Sequence, residues 1–391
     1  MIKLIKSTFY NETATKEKLT QFIKKAPKLS FGPQCEKFEE KFAKWQGRKY
    51  CIFVNSGSSA NLAILQALIN LNKLKTGDAV GFSALTWSTN VMPIIQLGMD
   101  PVPIDVELTH LNVSTNTLRE ALNNYPLKAV FLTNLLGFCG DIDEIRNVCK
   151  EKNIVLIEDN CESLGSVYQG KKLGNFGLAS TFSFYVGHHM STIEGGAICC
   201  DDEKLAVMLK LIRAHEWDRN LSFGEQNTIR NKFNINSEFY SRYTFYDLGY
   251  NMRPTEISGF LGNNQLPYLD EIIKKRKEIF LTIAPKLYAQ TDRFYPIRFD
   301  HLDFISNFAI PLVCKTKAIR DELVKKCEGK IEIRPVVGGD ITQQPFFKKH
   351  VKKKQGQSPN ARLVHDQGFY VGNNPDLTKK EMQTLLTVFS S

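Results

Sequence analysis

Three short stretches of this chain place reactive side chains where α/β proteins build their sites. The first, Asn55-Ser56-Gly57-Ser58-Ser59-Ala60-Asn61, follows an apolar run and opens a helical pattern. Free amides at a helix N-terminus, beside hydroxyls and a glycine, can cradle a phosphate. The same residues serve equally as a plain serine cap on a strand-to-helix turn. They match neither a P-loop nor a dinucleotide-binding glycine pattern. In the second, Ile154-Val155-Leu156-Ile157-Glu158-Asp159-Asn160-Cys161-Glu162, an apolar run ends on carboxylates. Asp159 there could hold a protonated pyridine nitrogen and keep such a ring an electron sink, or could simply cap a helix or face solvent. The third is His188, beside His189, after the run that ends at Tyr185. Imidazole moves protons near neutral pH, while a lone histidine is as readily a structural hydrogen-bonding residue. Adjacent residues on an extended segment point opposite ways, and no third ligand stands at a recognised spacing, so no metal is expected.

The elements that must position these groups follow from periodicity. Short β-rich runs at 49–54, 79–82, 101–105, 129–132, 154–158, 180–185 and 196–200 alternate with helical stretches such as 60–71, 118–123 and 142–152. Strands alternating with helices argue for an α/β domain with a mainly parallel sheet. A long amphipathic pattern over 255–279 reads as a connecting helix, and the mixed pattern beyond it suggests a smaller C-terminal α+β domain. The expected division is therefore 1–279, including the N-terminal segment, and 280–391.

Bulk properties exclude some classes. No apolar run approaches the roughly 20 residues of a membrane helix. Met1-Ile2-Lys3-Leu4-Ile5-Lys6 is broken by charge too early for a secretory core, so a cytoplasmic protein is expected. The net charge of +10 suits an anionic metabolite. The densest basic run, Lys348-Lys349-His350-Val351-Lys352-Lys353-Lys354, lacks interleaved aromatics and reads as a solvated loop rather than a nucleic-acid or membrane patch. The nine cysteines form no CxxC pair, and several sit in apolar runs, which is the usage of buried reduced thiols.

Together these stretches resemble the DegT/DnrJ/EryC1/StrS sugar aminotransferases, from Phe31-Gly32 and Phe38-Glu39 through Gly368-Phe369-Tyr370-Val371-Gly372-Asn373-Asn374-Pro375. The resemblance implies a fold-type I pyridoxal phosphate (PLP) enzyme, aspartate aminotransferase-like, with a seven-stranded sheet in its large domain. In that family the position of His188 carries the lysine that tethers PLP. The block Gly-His-His-Met-Ser-Thr-Ile-Glu-Gly-Gly at 187–196 looks like the branch that removes the C3 hydroxyl of GDP-4-keto-6-deoxymannose on the way to colitose.

The family's roles then pass to matching positions. Gly57, Ser58 and Ser183 match the phosphate side of the cofactor site, Trp87 the aromatic residue stacked on the ring, Asp159 the partner of its nitrogen, and Glu162 a neighbour of the ring. Asn251 matches a residue reaching the phosphate of the neighbouring subunit, which implies a homodimer with shared sites. Glu332 and Arg334 match a segment lining the substrate pocket. Without a tethering lysine, the cofactor is expected to work as pyridoxamine phosphate (PMP), with His188 as the proton carrier, glutamate as amino donor and ammonia released.

Two alternatives stay open within the family: a nucleotide-sugar 4-aminotransferase, and a CDP- or dTDP-linked 3-dehydrase. The CDP-4-keto-6-deoxyglucose relatives share the histidine but carry an iron–sulfur cluster on cysteines after that loop. This chain has no cysteine between Cys200 and Cys314, so no cluster is expected. From another class, a non-catalytic regulatory protein on the same scaffold would also lack the lysine.

Overall fold

The computed structural model describes residues 1–353 and 356–390, so Lys354 of the basic run lies outside the described residues. The large sheet uses β1 (Tyr50–Val54), β2 (Ala79–Ser83), β3 (Asp100–Ile104), β4 (Leu127–Thr133), β5 (Val155–Asp159), β8 (Ala179–Ser183) and β9 (Gly196–Cys200); between them a short hairpin pairs β6 (Val167–Tyr168) with β7 (Lys171–Lys172). The seven strands lie in the order β1-β9-β8-β5-β4-β2-β3, and only β9 runs against its neighbours. The expected seven-stranded, mainly parallel sheet is therefore present.

The strands are apolar on both faces because both faces are covered. In β4, Ala129 and Phe131 join one core cluster with the helix Gly57–Asn70, while Val130 and Leu132 join another with the helices Thr115–Asn124 and Ile142–Glu151. In β1, Ile52 and Val54 face the first cluster, whereas Cys51 and Phe53 pack beneath the helix Pro33–Gln46 in a third. Eight of the nine cysteines are buried and all are free.

Two expectations shift. The helix read as 60–71 starts earlier, at Gly57, where Ser56 Oγ accepts the N–H of Ser59 at 3.0 Å. Apolar periodicity does not register such a polar first turn. The pattern over 255–279 is not one helix but two, Glu256–Gln265 and Leu269–Tyr288, separated by a 3₁₀ turn at Leu266–Tyr268. Pro267 lies in that turn, where its missing N–H and its ring disrupt the ladder.

The C-terminal part forms a second, antiparallel sheet in the order β10 (Ala309–Val313), β12 (Gly368–Gly372), β11 (Ile333–Pro335), with the helices Lys317–Cys327, Pro359–Gln367 and Lys379–Ser390. This is the smaller α+β unit. Residue 280 lies inside the helix Leu269–Tyr288, so a division at 279/280 crosses a continuous helix. The N-terminal residues run beside this second sheet: Ile2 bridges Ile331, and Leu4 N–H donates to Glu332. In the basic run, Lys353 pairs with Asp100 at 2.5 Å. No helix among the described residues is long and apolar enough to cross a membrane.

Candidate active site

The carboxyl ends of the parallel strands open into a cavity of about 510 Å³, closed on the far side by Glu332, Arg334 and Tyr370 of the C-terminal sheet and by Leu4 and Ile5. Loops at these strand ends are where open α/β sheets gather ligand groups.

Gly57 and Ser58 open the helix that follows β1 and face the cavity. Helical geometry leaves their amides without intrahelical acceptors, while Ser56 caps the turn. Cap and cradle thus coexist. A Cβ on Gly57 would lie 2.8 Å from Ser183 Cβ and 3.1 Å from Cys161 Sγ, so the turn and the end of β8 approach too closely for any side chain. A donor-lined gap beside two serines suits a phosphate.

Asp159 ends β5 with 5 % of its surface exposed. Its Oδ2 accepts from Asn61 Nδ2 at 2.9 Å and Asn90 Nδ2 at 2.8 Å, and its Oδ1 from the Cys161 N–H at 2.9 Å. These donors lock the carboxylate's orientation. Trp87 also lines the cavity and, for so large a ring, is unusually open, at 53 %. An aromatic face left bare in a cleft is a stacking surface.

His188 sits in the loop between β8 and β9, held by its N–H to Tyr185 O at 2.9 Å. Its ring meets Phe308 edge-on at 5.5 Å and Tyr185 at 6.0 Å. Burial pushes its pKa down to about 4; Asp159 opposes that shift and Arg276 adds to it. The residue is half-buried and lines the cavity. At neutral pH it is an unprotonated base. His189 points away, with Nε2 at 3.3 Å from Ser306 O. Among the described residues no group of three or more His, Cys, Asp or Glu gathers to hold a metal.

Glu162 accepts the Leu136 N–H at 2.9 Å and is buried. Desolvation, followed in size by the lowering effect of that bond and then the nearby Asp159 charge, leaves its pKa pushed up to about 8. It therefore holds a proton at neutral pH and can donate. Glu332 and Arg334 reach the cavity already paired at 2.5 Å, and Glu332 also accepts from Leu4 N–H at 3.0 Å.

All of the expected site residues line this one cavity except Asn251. Asn251 is exposed, bridged to Ala214, and accepts from Arg253 Nε at 3.0 Å. Sequence reasoning missed Asn61 and Asn90, the holders of Asp159. Asn61 did leave a trace, as an amide just ahead of the apolar run 62–65 in its helix; Asn90 left none. Leu4, Ile5, Phe308 and Tyr370 come from segments too distant for any local signal.

The profile of the DegT/DnrJ/EryC1/StrS aminotransferase family matches residues 11–390. The chain is 35 % identical over 369 residues to GDP-4-keto-6-deoxy-D-mannose 3-dehydratase of Yersinia pseudotuberculosis, covering 92 % of this chain and 91 % of that protein. Among solved structures, E. coli GDP-4-keto-6-deoxy-D-mannose-3-dehydratase with bound hydrated PLP superposes with a TM-score of 0.89 at 30 % identity, over 100 % of this chain and 99 % of that one. A GDP-4-keto-6-deoxymannose-3-dehydratase holding a trapped PLP–glutamate geminal diamine gives 0.89 at 31 % identity, with 100 % of both chains covered. With the seven-stranded sheet, the matched length and the cavity at the strand ends all agreeing, the chain belongs to the DegT/DnrJ/EryC1/StrS aminotransferase family.

Proposed function

We propose that this chain is a PLP/PMP-dependent, iron–sulfur-independent 3-dehydratase acting on a nucleotide-linked 4-keto-6-deoxyhexose, with GDP-4-keto-6-deoxy-D-mannose as substrate and a 3,6-dideoxy-4-keto sugar as product. One observation carries the reading: an unprotonated histidine stands in the same cavity as Asp159 and the Gly57 cradle, and no lysine lines that cavity among the described residues.

In this reading Gly57, Ser58 and Ser183 hold the cofactor's phosphate, Trp87 covers the ring, Asp159 binds its nitrogen, and Glu162 donates to a ring substituent. Bound there, the cofactor supplies an amine for the sugar ketone and a ring that accepts electrons. His188, neutral at physiological pH, takes a proton from the carbon next to the ring. The imidazolium so formed is the acid that protonates the departing C3 hydroxyl. Because histidine has no primary amine, it cannot compete for the carbon that a lysine would capture, so elimination rather than amine transfer is favoured. Glutamate would be the amino donor that returns the cofactor to its amine form, and water would hydrolyse the released sugar enamine to the 4-ketone and ammonia. Glu332 and Arg334 are assigned to the sugar nucleotide.

The reading includes a cytoplasmic homodimer. Exposed Phe239, Tyr240 and Tyr243 lie in the chain segment that leads to Asn251, and a partner copy that covers them brings Asn251 to its own cradle. No nucleic acid or membrane takes part.

The test is product analysis with glutamate, PLP and the GDP-, CDP- and dTDP-linked 4-keto-6-deoxy sugars. A 3-deoxy product with ammonia, fastest from the GDP substrate, is expected. A stable 4-amino sugar would identify an aminotransferase, and no turnover of any substrate a regulatory protein.

A further inference from the structure

Arg276, in the helix Leu269–Tyr288, is 5 % exposed. Among the described residues it has no carboxylate at ion-pairing distance, and Asp376 acts on it only from further away. Its guanidinium instead donates to three backbone carbonyls: Nη1 to Phe308 O at 3.2 Å and Asn373 O at 2.5 Å, and Nη2 to His188 O at 3.1 Å. Asn373 closes the set, donating through Nδ2 to the carbonyls of Arg276 and Asn307, each at 3.0 Å.

Burying a cation without a partner charge costs several kcal/mol. An apolar side chain would fill the space more cheaply. What the planar fork adds is a fixed tie between three separate segments and a rigid helix. Two of those segments touch the imidazole: the His188 backbone itself, and Phe308, whose ring packs edge-on against it. The His188 ring also meets Tyr185 edge-on, and the Ser183 backbone acts on it. Its Nδ1 is buried without a hydrogen-bond partner, and a second cavity of about 30 Å³, bordered by His188, His189, Gln265 and Arg276, lies where packing would otherwise wedge the loop.

We propose that Arg276 is a positioning residue for His188, setting where the imidazole stands in the active-site cavity through the carbonyls of His188 and Phe308. The inference rests on the reading of His188 as the proton carrier. Lysine at 276 keeps the charge but cannot span three carbonyls, and methionine keeps only the volume.

The experiment compares wild type, Arg276→Lys and Arg276→Met in two ways. In cofactor-free protein, hydrogen–deuterium exchange of the amides of 186–192 should quicken by about tenfold or more in Arg276→Met, with the large sheet unchanged. With PLP added, the glutamate-driven amination of the cofactor should lose on the order of 10- to 100-fold in kcat, while KM for glutamate stays within about twofold. Arg276→Lys should fall between. This half-reaction uses no sugar, so wild type that aminates PLP yet rejects every nucleotide sugar defeats the substrate reading and leaves this proposal standing. Unchanged loop exchange, or kcat within about twofold of wild type in both variants, overturns it. If Arg276→Met does not fold, Arg276→Lys decides: wild-type exchange and kcat in that variant overturn the proposal.

Discussion

At the scale of single residues, the chemistry turns on replacing an amine by an imidazole and on the field around it. His188→Lys should restore a covalent link to PLP, seen as colour that survives dialysis, while 3-deoxy sugar formation falls by two or more orders of magnitude. A colourless dialysed variant would mean that position 188 does not reach the cofactor. The lowered pKa of His188 has a kinetic consequence as well. Its base form persists down toward pH 4, so the acid limb of kcat/KM should lie well below the ordinary imidazole value of 6.5. A limb centred near 6.5 would indicate a solvated ring. Sequence alone made this histidine visible through its type and its neighbours, but its protonation state came from burial and from Arg276, which stands far along the chain.

At the scale of elements, the site depends on close approach between the helix Gly57–Asn70 and the end of β8. Gly57→Ala would drive a methyl into Ser183 and Cys161. Overpacking of this kind typically costs about 1–3 kcal/mol. The cofactor-free variant should melt lower, and PLP affinity in equilibrium dialysis should drop by about tenfold or more; unchanged affinity would place the phosphate elsewhere. The strands could be read from apolar runs because they are buried on both faces, while their order in the sheet came only from the structure. Helix starts were less legible, since caps are set by polar residues that periodicity ignores, and the break at Pro267 was passed over because the apolar pattern continues across it. The contacts of Glu332 were equally illegible: the family resemblance implied a place in the substrate pocket, and the structure adds that one oxygen accepts from Leu4 and the other from Arg334.

For the whole molecule, ionisation and assembly give two further tests. Burial lowers the pKa of His110 and His188 to about 4 and also lowers His189 and His301. The unfolded chain then binds more protons than the folded one below 6.5, so this contribution to stability is full above 6.5 and is lost as pH falls toward 4. Glu162 and Glu216 are raised from 4.5 to about 8, mainly by burial, so their contribution is full below 4.5 and is lost as pH rises through 8. The two trends oppose each other between 4.5 and 6.5, and only the carboxyl trend remains above that. The melting temperature of cofactor-free protein should therefore decline from pH 6.5 to 8, and less so in Glu162→Gln; a midpoint that climbs over this interval would contradict the assignment. Assembly is tested by mixing. Inactive His188→Asn and Asn251→Ala proteins, unfolded and refolded together, should regain activity in hybrid dimers, because one site then has both residues. No recovery would mean that Asn251 serves its own subunit or none.

The sequence by itself determined which chemistry was available: a glycine-serine turn at a helix start, an acid at a strand end, an imidazole in a loop, and alternating strands to carry them. Those are local properties, written in windows of a few residues. Only the tertiary structure decided that they meet around one cavity, that Asn61 and Asn90 orient Asp159, that the N-terminal residues close the wall, and that a buried Arg276 grips the His188 loop. Such contacts join segments tens to hundreds of residues apart, and they arise from packing, which no local pattern contains.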